Sequence, residues 1–205
     1  MKSTLLLLHG FNSAPGAKKE AIAQWLQRKH LDYSISLIAP ELPISPTKAI
    51  GNIEDIIKLA QGRVYVIGTS LGGFYANYIR AIYPDSKCVV HAINPSWQPS
   101  KTLQRVANKE VTNYKTGAVS FFSESYIADL AEMETEVLKG LKNYTGNAYY
   151  LHIGTQDELL AFDALFEFLN QHNISHQKYE YPTNHRFEMM PEMLKVFGST
   201  ISLKF

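Results

Sequence analysis

A chain of 205 residues with 45% apolar, 19% charged and 12% aromatic residues has the composition of one folded domain spanning residues 1–205, and disorder is excluded. Lys and Arg number 20 against 19 Asp and Glu, so the net charge of +1 gives no electrostatic reason to expect nucleic acid or anionic lipid as a partner. Cys88 is the only cysteine, which excludes an intramolecular disulfide and a thiolate zinc site and leads us to expect a reducing, cytoplasmic setting.

The chain opens with Met1-Lys2 and an apolar run ending at Leu8, a pattern that superficially resembles a signal peptide. The run is shorter than a secretory apolar region needs, and nothing downstream approaches the ~20 apolar residues of a membrane span. It reads instead as the first of six short strands, at 4–8, 33–38, 63–67, 88–93, 148–153 and 177–181. The first, third and fourth are nearly continuous Leu, Val and Ile, as expected of parallel strands covered on both faces. Helical patterns lie between them at 17–28, in the series Ile50, Ile53, Ile56, Ile57 and Ala60, at 71–82 and at 159–169. Ser45-Pro46 supplies an N-cap and a first-turn proline for the second of these. The alternation predicts an α/β fold with a doubly wound, mostly parallel six-stranded sheet. An insertion follows the fourth strand, at 95–147, with a helical pattern running from Ile127 to Leu141. Its length fits a lid or pocket wall as well as an extra helix packed on the sheet.

The sharpest motif is Gly68-Thr69-Ser70-Leu71-Gly72-Gly73, placed directly after the third strand and before a helix. A turn this tight strains the serine's backbone, and a side chain at position 68 or 72 would strike the neighbouring strand or helix. The serine is then presented at the carboxyl end of the sheet, above a helix N-terminus. A packing turn or a phosphate cradle is the alternative, although neither G-x-G-x-x-G nor G-K-[ST] is present.

A serine hydroxyl needs a base to take its proton and an acid to orient that base. Of seven histidines, only His185 follows the last strand on its carboxyl side. His91 and His152 fall inside strands and read as hydrogen-bonded core histidines; His30, His172 and His176 lie away from that edge. After the fourth strand the chain reads Asn94-Pro95-Ser96-Trp97, without a carboxylate; after the fifth, Asp157 and Glu158 compete for the acid role. Asp157 is also a plausible N-cap for the helix running to Leu169. If the second strand pairs on the far side of the first, giving the order 2-1-3-4-5-6, the loop His9-Gly10-Phe11 falls beside Ser70. The N–H groups of Phe11 and Leu71 then become candidates for an oxyanion hole. His9 reads as orienting this loop, with no partners for a metal.

His9-Gly10-Phe11-Asn12-Ser13, the Ser70 elbow with Phe74-Tyr75-Ala76, Asn94-Pro95, Gly154-Thr155-Gln156-Asp157-Glu158 and His185-Arg186-Phe187 together resemble the α/β-hydrolase superfamily, in particular the small bacterial YqiA-type esterases. The resemblance spans nearly the whole chain. It implies a minimal hydrolase core without the first two strands of larger members, and hydrolysis of short-chain acyl esters or acyl-CoA thioesters. It carries the nucleophile to Ser70, the acid to Asp157, the base to His185 and the oxyanion donors to Phe11 and Leu71. The chain departs from such esterases at Thr183-Asn184, where glycine and aspartate are expected.

The expected function is a serine esterase working through an acyl-enzyme on small acyl esters, with no cofactor and no metal. The alternatives are a thioesterase with the same residues and a ligand-binding protein on a hydrolase scaffold. Phe11, Phe74, Tyr75, Trp97, Phe121, Phe122 and Phe187 are candidates for an apolar acyl pocket, with core packing the competing role.

Overall fold

The computed structural model describes residues 2–83, 86–144 and 149–201. Its centre is a six-stranded, all-parallel sheet built from β1 (Ser3–Leu8), β2 (Ile35–Ile38), β3 (Val64–Thr69), β4 (Cys88–Ile93), β7 (Tyr149–Gly154) and β8 (His176–Tyr181). The strands are ordered β2-β1-β3-β4-β7-β8, the order expected from the sequence. The strand expected at 148–153 begins at Tyr149, position 148 being outside the described residues, as are 145–147 of the insertion.

Two helical layers cover the sheet, because successive strand residues point to opposite faces and both faces are apolar. Leu5, Leu7, Tyr65 and Ile67 pack under α1 (Gly16–Arg28) and α7 (Met190–Thr200). Leu6, Leu8, Val64 and Val66 face α2 (Pro46–Leu59), α3 (Leu71–Ile82), α5 (Ser125–Lys142) and α6 (Asp163–Gln171). Ser45 caps α2, its Oγ accepting the Lys48 N–H at 3.4 Å, with Pro46 as the first helical residue. The helix expected from Leu159 starts only at Asp163, after a turn.

The described part of the 95–147 insertion holds a hairpin and a long helix. After the short α4 (Pro99–Thr102), an antiparallel hairpin of β5 (Lys109–Thr112) and β6 (Val119–Phe122) leads into α5, which packs on α3 through Leu130, Met133, Val137 and Leu141. Gly140 lets the two helices touch, since a Cβ there would lie 2.6 Å from the Ala81 Cβ.

His91 and His152 are fully buried between β4 and β7. The Thr200 hydroxyl donates to the Phe197 carbonyl at 2.7 Å, so His91 Nε2 donates to Thr200 Oγ1 at 3.0 Å. His152 Nε2 then donates to His91 Nδ1 at 2.9 Å, and the Tyr181 hydroxyl donates to His152 Nδ1 at 2.8 Å. Every group in this chain is used once with both rings neutral. Burial pushes both imidazoles down, His152 to about 3, and each would further repel a charge on the other.

Among the described residues no helix is long and apolar enough to cross a membrane.

Candidate active site

The carboxyl ends of β1, β3, β4, β7 and β8 lie side by side, and the loops leaving them build the site. Ser70 follows β3 and precedes α3 with φ 56° and ψ −118°, a left-handed backbone that a serine adopts only when its surroundings impose it. Its N–H donates to the Ile93 carbonyl at 3.0 Å, and its carbonyl accepts from Phe74 N–H at 3.1 Å and Ser96 N–H at 3.0 Å. The two glycines of the elbow are needed for space: a Cβ at Gly68 would stand 2.1 Å from the Gly72 carbonyl oxygen, and one at Gly72 2.3 Å from the Leu8 oxygen.

Ser70 Oγ lies 3.0 Å from His185 Nε2, and His185 Nδ1 lies 2.8 Å from Asp157 Oδ2. The Asp157 side chain is 1% exposed and that of His185 16%. Asp157 also fulfils its alternative role in part: Oδ1 accepts the N–H groups of Leu159 at 2.8 Å and Leu160 at 2.9 Å, closing a turn rather than capping α6. Burial works against the charge of Asp157, but the hydrogen bond from His185 and the two turn N–H groups outweigh it and hold the carboxyl below its ordinary range. Glu158, the sequence's other candidate acid, accepts the backbone N–H of His185 at 3.1 Å instead of touching its ring. That hydrogen bond lowers its carboxyl pKa as well.

Thr183 and Asn184, where the chain departs from the resembling esterases, both support the His185 loop. Thr183 Oγ1 accepts the Glu188 N–H at 3.2 Å, and Asn184 Oδ1 accepts the Arg186 N–H at 3.0 Å. Lys18 of α1 donates to the Arg186 carbonyl at 2.6 Å, and Phe187 turns back into the core at φ 53°, edge-on to Tyr181.

The loop after β1 abuts the serine, since a Cβ on Gly10 would lie 3.2 Å from Ser70 Cβ. His9 fixes this loop in one tautomer. Leu42 N–H donates to Nε2 at 2.9 Å, so Nδ1 carries the proton and donates to the Gly10 carbonyl at 2.8 Å. Burial pushes the His9 imidazole pKa down, consistent with this neutral form. Phe11 and Leu71, the candidate donors, both line a cavity together with Tyr75, Leu42, Ile44 and hairpin residues Asn113, Ala118 and Ser120; Ser70, His185 and Asp157 are not among its lining residues, and Leu71, next to Ser70 in the chain, connects the two.

The hairpin is tied to the loop after β1. Asn12 Nδ2 donates to the Thr112 carbonyl at 2.6 Å, Asn113 Nδ2 to the Ser13 carbonyl at 3.0 Å, and the Ser13 and Tyr114 hydroxyls meet at 2.6 Å. Of the seven aromatic residues considered for a pocket, Phe11 and Tyr75 line this cavity. Phe74, Phe122 and Phe187 are core residues, Trp97 packs on Phe168, and Phe121 is 55% exposed. The sequence missed the hairpin, whose short, mixed-polarity strands carry no strong periodic signal. It also gave no role to Asn94, which lies among these loops. Among the described residues no group of three or more His, Cys, Asp or Glu is placed to hold a metal ion.

Sheet order, elbow and flanking helices define the α/β-hydrolase fold, the class to which several similar solved structures belong. Residues 4–198 match the uncharacterised protein family UPF0227, and the chain belongs to that family. Est1E from Butyrivibrio proteoclasticus superposes with a TM-score of 0.71 at 16% identity, covering 97% of this chain and 87% of its own. The S-formylglutathione hydrolase FrmB from Staphylococcus aureus gives 0.69 at 17% identity, covering 97% and 84%. A monoacylglycerol lipase from Paleococcus ferrophilus gives 0.69 at 13% identity, covering 96% and 92%.

Proposed function

We propose that the chain is a serine carboxylic-ester hydrolase acting through an acyl-enzyme, with residues 1–205 forming one domain. The observation that carries this reading is the hydrogen-bonded line Ser70–His185–Asp157 at 3.0 and 2.8 Å, assembled from three separate loops at one sheet edge. Two of its fold relatives are described as an S-formylglutathione hydrolase and a monoacylglycerol lipase, which supports ester chemistry.

In this reading Ser70 Oγ attacks the substrate carbonyl carbon while His185 Nε2 takes its proton. Asp157 holds Nδ1–H and stabilises the imidazolium that forms. The N–H groups of Phe11 and Leu71 receive the negative charge that develops on the carbonyl oxygen. Collapse of the tetrahedral intermediate breaks the ester C–O bond, and His185 returns the proton to the leaving alkoxide. Water, deprotonated by the same imidazole, then attacks the acyl-enzyme and releases acid and Ser70. The cavity beside Phe11 and Leu71, walled by the hairpin of the 95–147 insertion, takes the acyl or alcohol group. Buried Cys88, the chain's lone cysteine, fits a reducing compartment, and we place the protein in the cytoplasm.

The test is the intact mass of the protein after treatment with a small fluorophosphonate, followed by peptide mapping. One adduct on Ser70, absent from Ser70→Ala, is expected, with hydrolysis of p-nitrophenyl butyrate falling at least about 10³-fold in that variant. Full hydrolysis by Ser70→Ala would overturn the reading.

A further inference from the structure

Asn94 follows β4, between the strand that leads to Ser70 and the strand that leads to Asp157. It is fully buried, and its φ of 41° lies in the left-handed region that asparagine tolerates better than most residues. Its Oδ1 accepts the Gly154 N–H at 2.7 Å, at the start of the loop carrying Asp157. Its Nδ2 reaches the carbonyls of Asn184 at 3.3 Å and His185 at 3.4 Å, a forked and longer contact with the loop carrying the imidazole. Its own N–H donates to the His152 carbonyl at 2.9 Å. The packing here is tight enough to demand Gly154: a Cβ at that position would lie 2.6 Å from the Thr183 carbonyl oxygen and 3.1 Å from Asn94 Nδ2.

We propose that Asn94 is a positioning residue that sets the spacing between the Asp157 loop and the His185 loop. The proposal rests on the reading of Ser70, His185 and Asp157 as the reacting groups. A primary amide suits the task because it bridges an N–H donor on one loop and carbonyl acceptors on the other without bringing a charge near the imidazole. An aspartate would keep the Gly154 contact but turn an anion toward two carbonyl oxygens and compete with Asp157 for the imidazolium. Glu158 also bridges the two loops, through the His185 N–H, but it is exposed, so water competes with that bond. Asn94 holds its partners where water does not substitute for them. Misplacement of a catalytic group by about 1 Å is enough to cost on the order of 10²-fold in rate.

The test uses full-length Asn94→Gly, which keeps the left-handed backbone and removes the amide, with folding checked by circular dichroism. Turnover of p-nitrophenyl butyrate is read as kcat and KM. The His185 imidazole is followed across pH by NMR of protein labelled with ¹⁵N-histidine, its signals assigned with His185→Gln. The expected result is a loss in kcat of about 10- to 100-fold with KM nearly unchanged. The His185 ring signals should differ from those of the wild type as the ring loses its fixed alignment to Asp157. Asn94→Asp, which keeps the Gly154 acceptor and lacks the donor, should fold and show a comparable loss of kcat. Wild-type kcat and unchanged His185 ring signals in folded Asn94→Gly would overturn the proposal, as would a loss carried entirely by KM. If wild type and Ser70→Ala are equally inert toward esters while Asn94→Gly still moves the His185 ring signals, the positioning role stands and the esterase reading falls.

Discussion

Two adjacent carboxylates serve one histidine by different routes, and the difference between them is measurable. Asp157 faces the ring nitrogen from a side chain that is 1% exposed, whereas exposed Glu158 holds only the backbone N–H. Asp157→Asn keeps the size of the group but removes the charge that fixes the tautomer and stabilises the imidazolium. Its kcat for p-nitrophenyl butyrate is expected to drop on the order of 10⁴-fold. Glu158→Gln retains an acceptor for the His185 N–H, so its activity should stay within about tenfold of wild type, because exposed contacts of this kind contribute little. Equal losses in the two variants would show that the ring contact carries no special weight. The glycines at 68 and 72 show how residue-scale sterics enter the same site, since their missing side chains are what allow β3, β1 and α3 to converge beneath Ser70.

At the scale of elements, α5 and the hairpin divide the insertion between stability and pocket. The α3–α5 contact depends on Gly140, and there helix propensity and packing make opposite predictions. Gly140 lies in the last turn of α5, where replacing glycine with alanine gains at most about 1 kcal/mol in propensity. The added Cβ, however, would stand 2.6 Å from both the Cβ and the carbonyl oxygen of Ala81. Because backbone is one of the obstructing groups, the helices must separate, at a cost of about 1–3 kcal/mol that exceeds the propensity gain. Scanning calorimetry of Gly140→Ala should show a lower Tm by a few degrees; a rise would mean that α5 shifts freely. The hairpin, by contrast, adds few residues to the core, and its polar ties to Asn12 and Ser13 make it a wall of the cavity.

For the molecule as a whole, stability should depend on pH through its buried histidines. His91, His152 and His9 all have folded pKa values below the unfolded value of 6.5. The unfolded chain therefore binds more protons at mildly acidic pH, and stability present in full above about pH 6.5 is lost as pH falls. Each histidine that charges only on unfolding costs up to about 1.4 kcal/mol per pH unit within this window. For His152 the window extends down to about pH 3. Asp157 adds a loss of the same sign only at lower pH, since its folded carboxyl pKa lies below its ordinary range. Urea unfolding at pH 7, 6 and 5 should give a falling midpoint, with an uptake of about two protons on unfolding at pH 5. Constant stability over that range would show that the Tyr181–His152–His91–Thr200 chain does not hold its rings neutral.

Much of this was legible in the chain because the signals are local. Continuous apolar runs require strands covered on both faces, Ser45-Pro46 fixes a helix start, and the spacing of Gly68, Ser70 and Gly72 specifies a turn that few other residues fit. Helix α7 is also legible there, as Met190, Met193, Leu194 and Phe197 at helical spacing, although it was not among the elements expected from the sequence. The choice between Asp157 and Glu158, the linking role of Asn94 and the seat of the hairpin are not local properties. Each depends on which strand ends become neighbours and on distances of about 3 Å between residues 27 to 115 positions apart. Composition and periodicity determine that such strands and turns form; only the packed sheet decides which side chains meet above it, because hydrogen bonding at that range is set by tertiary register.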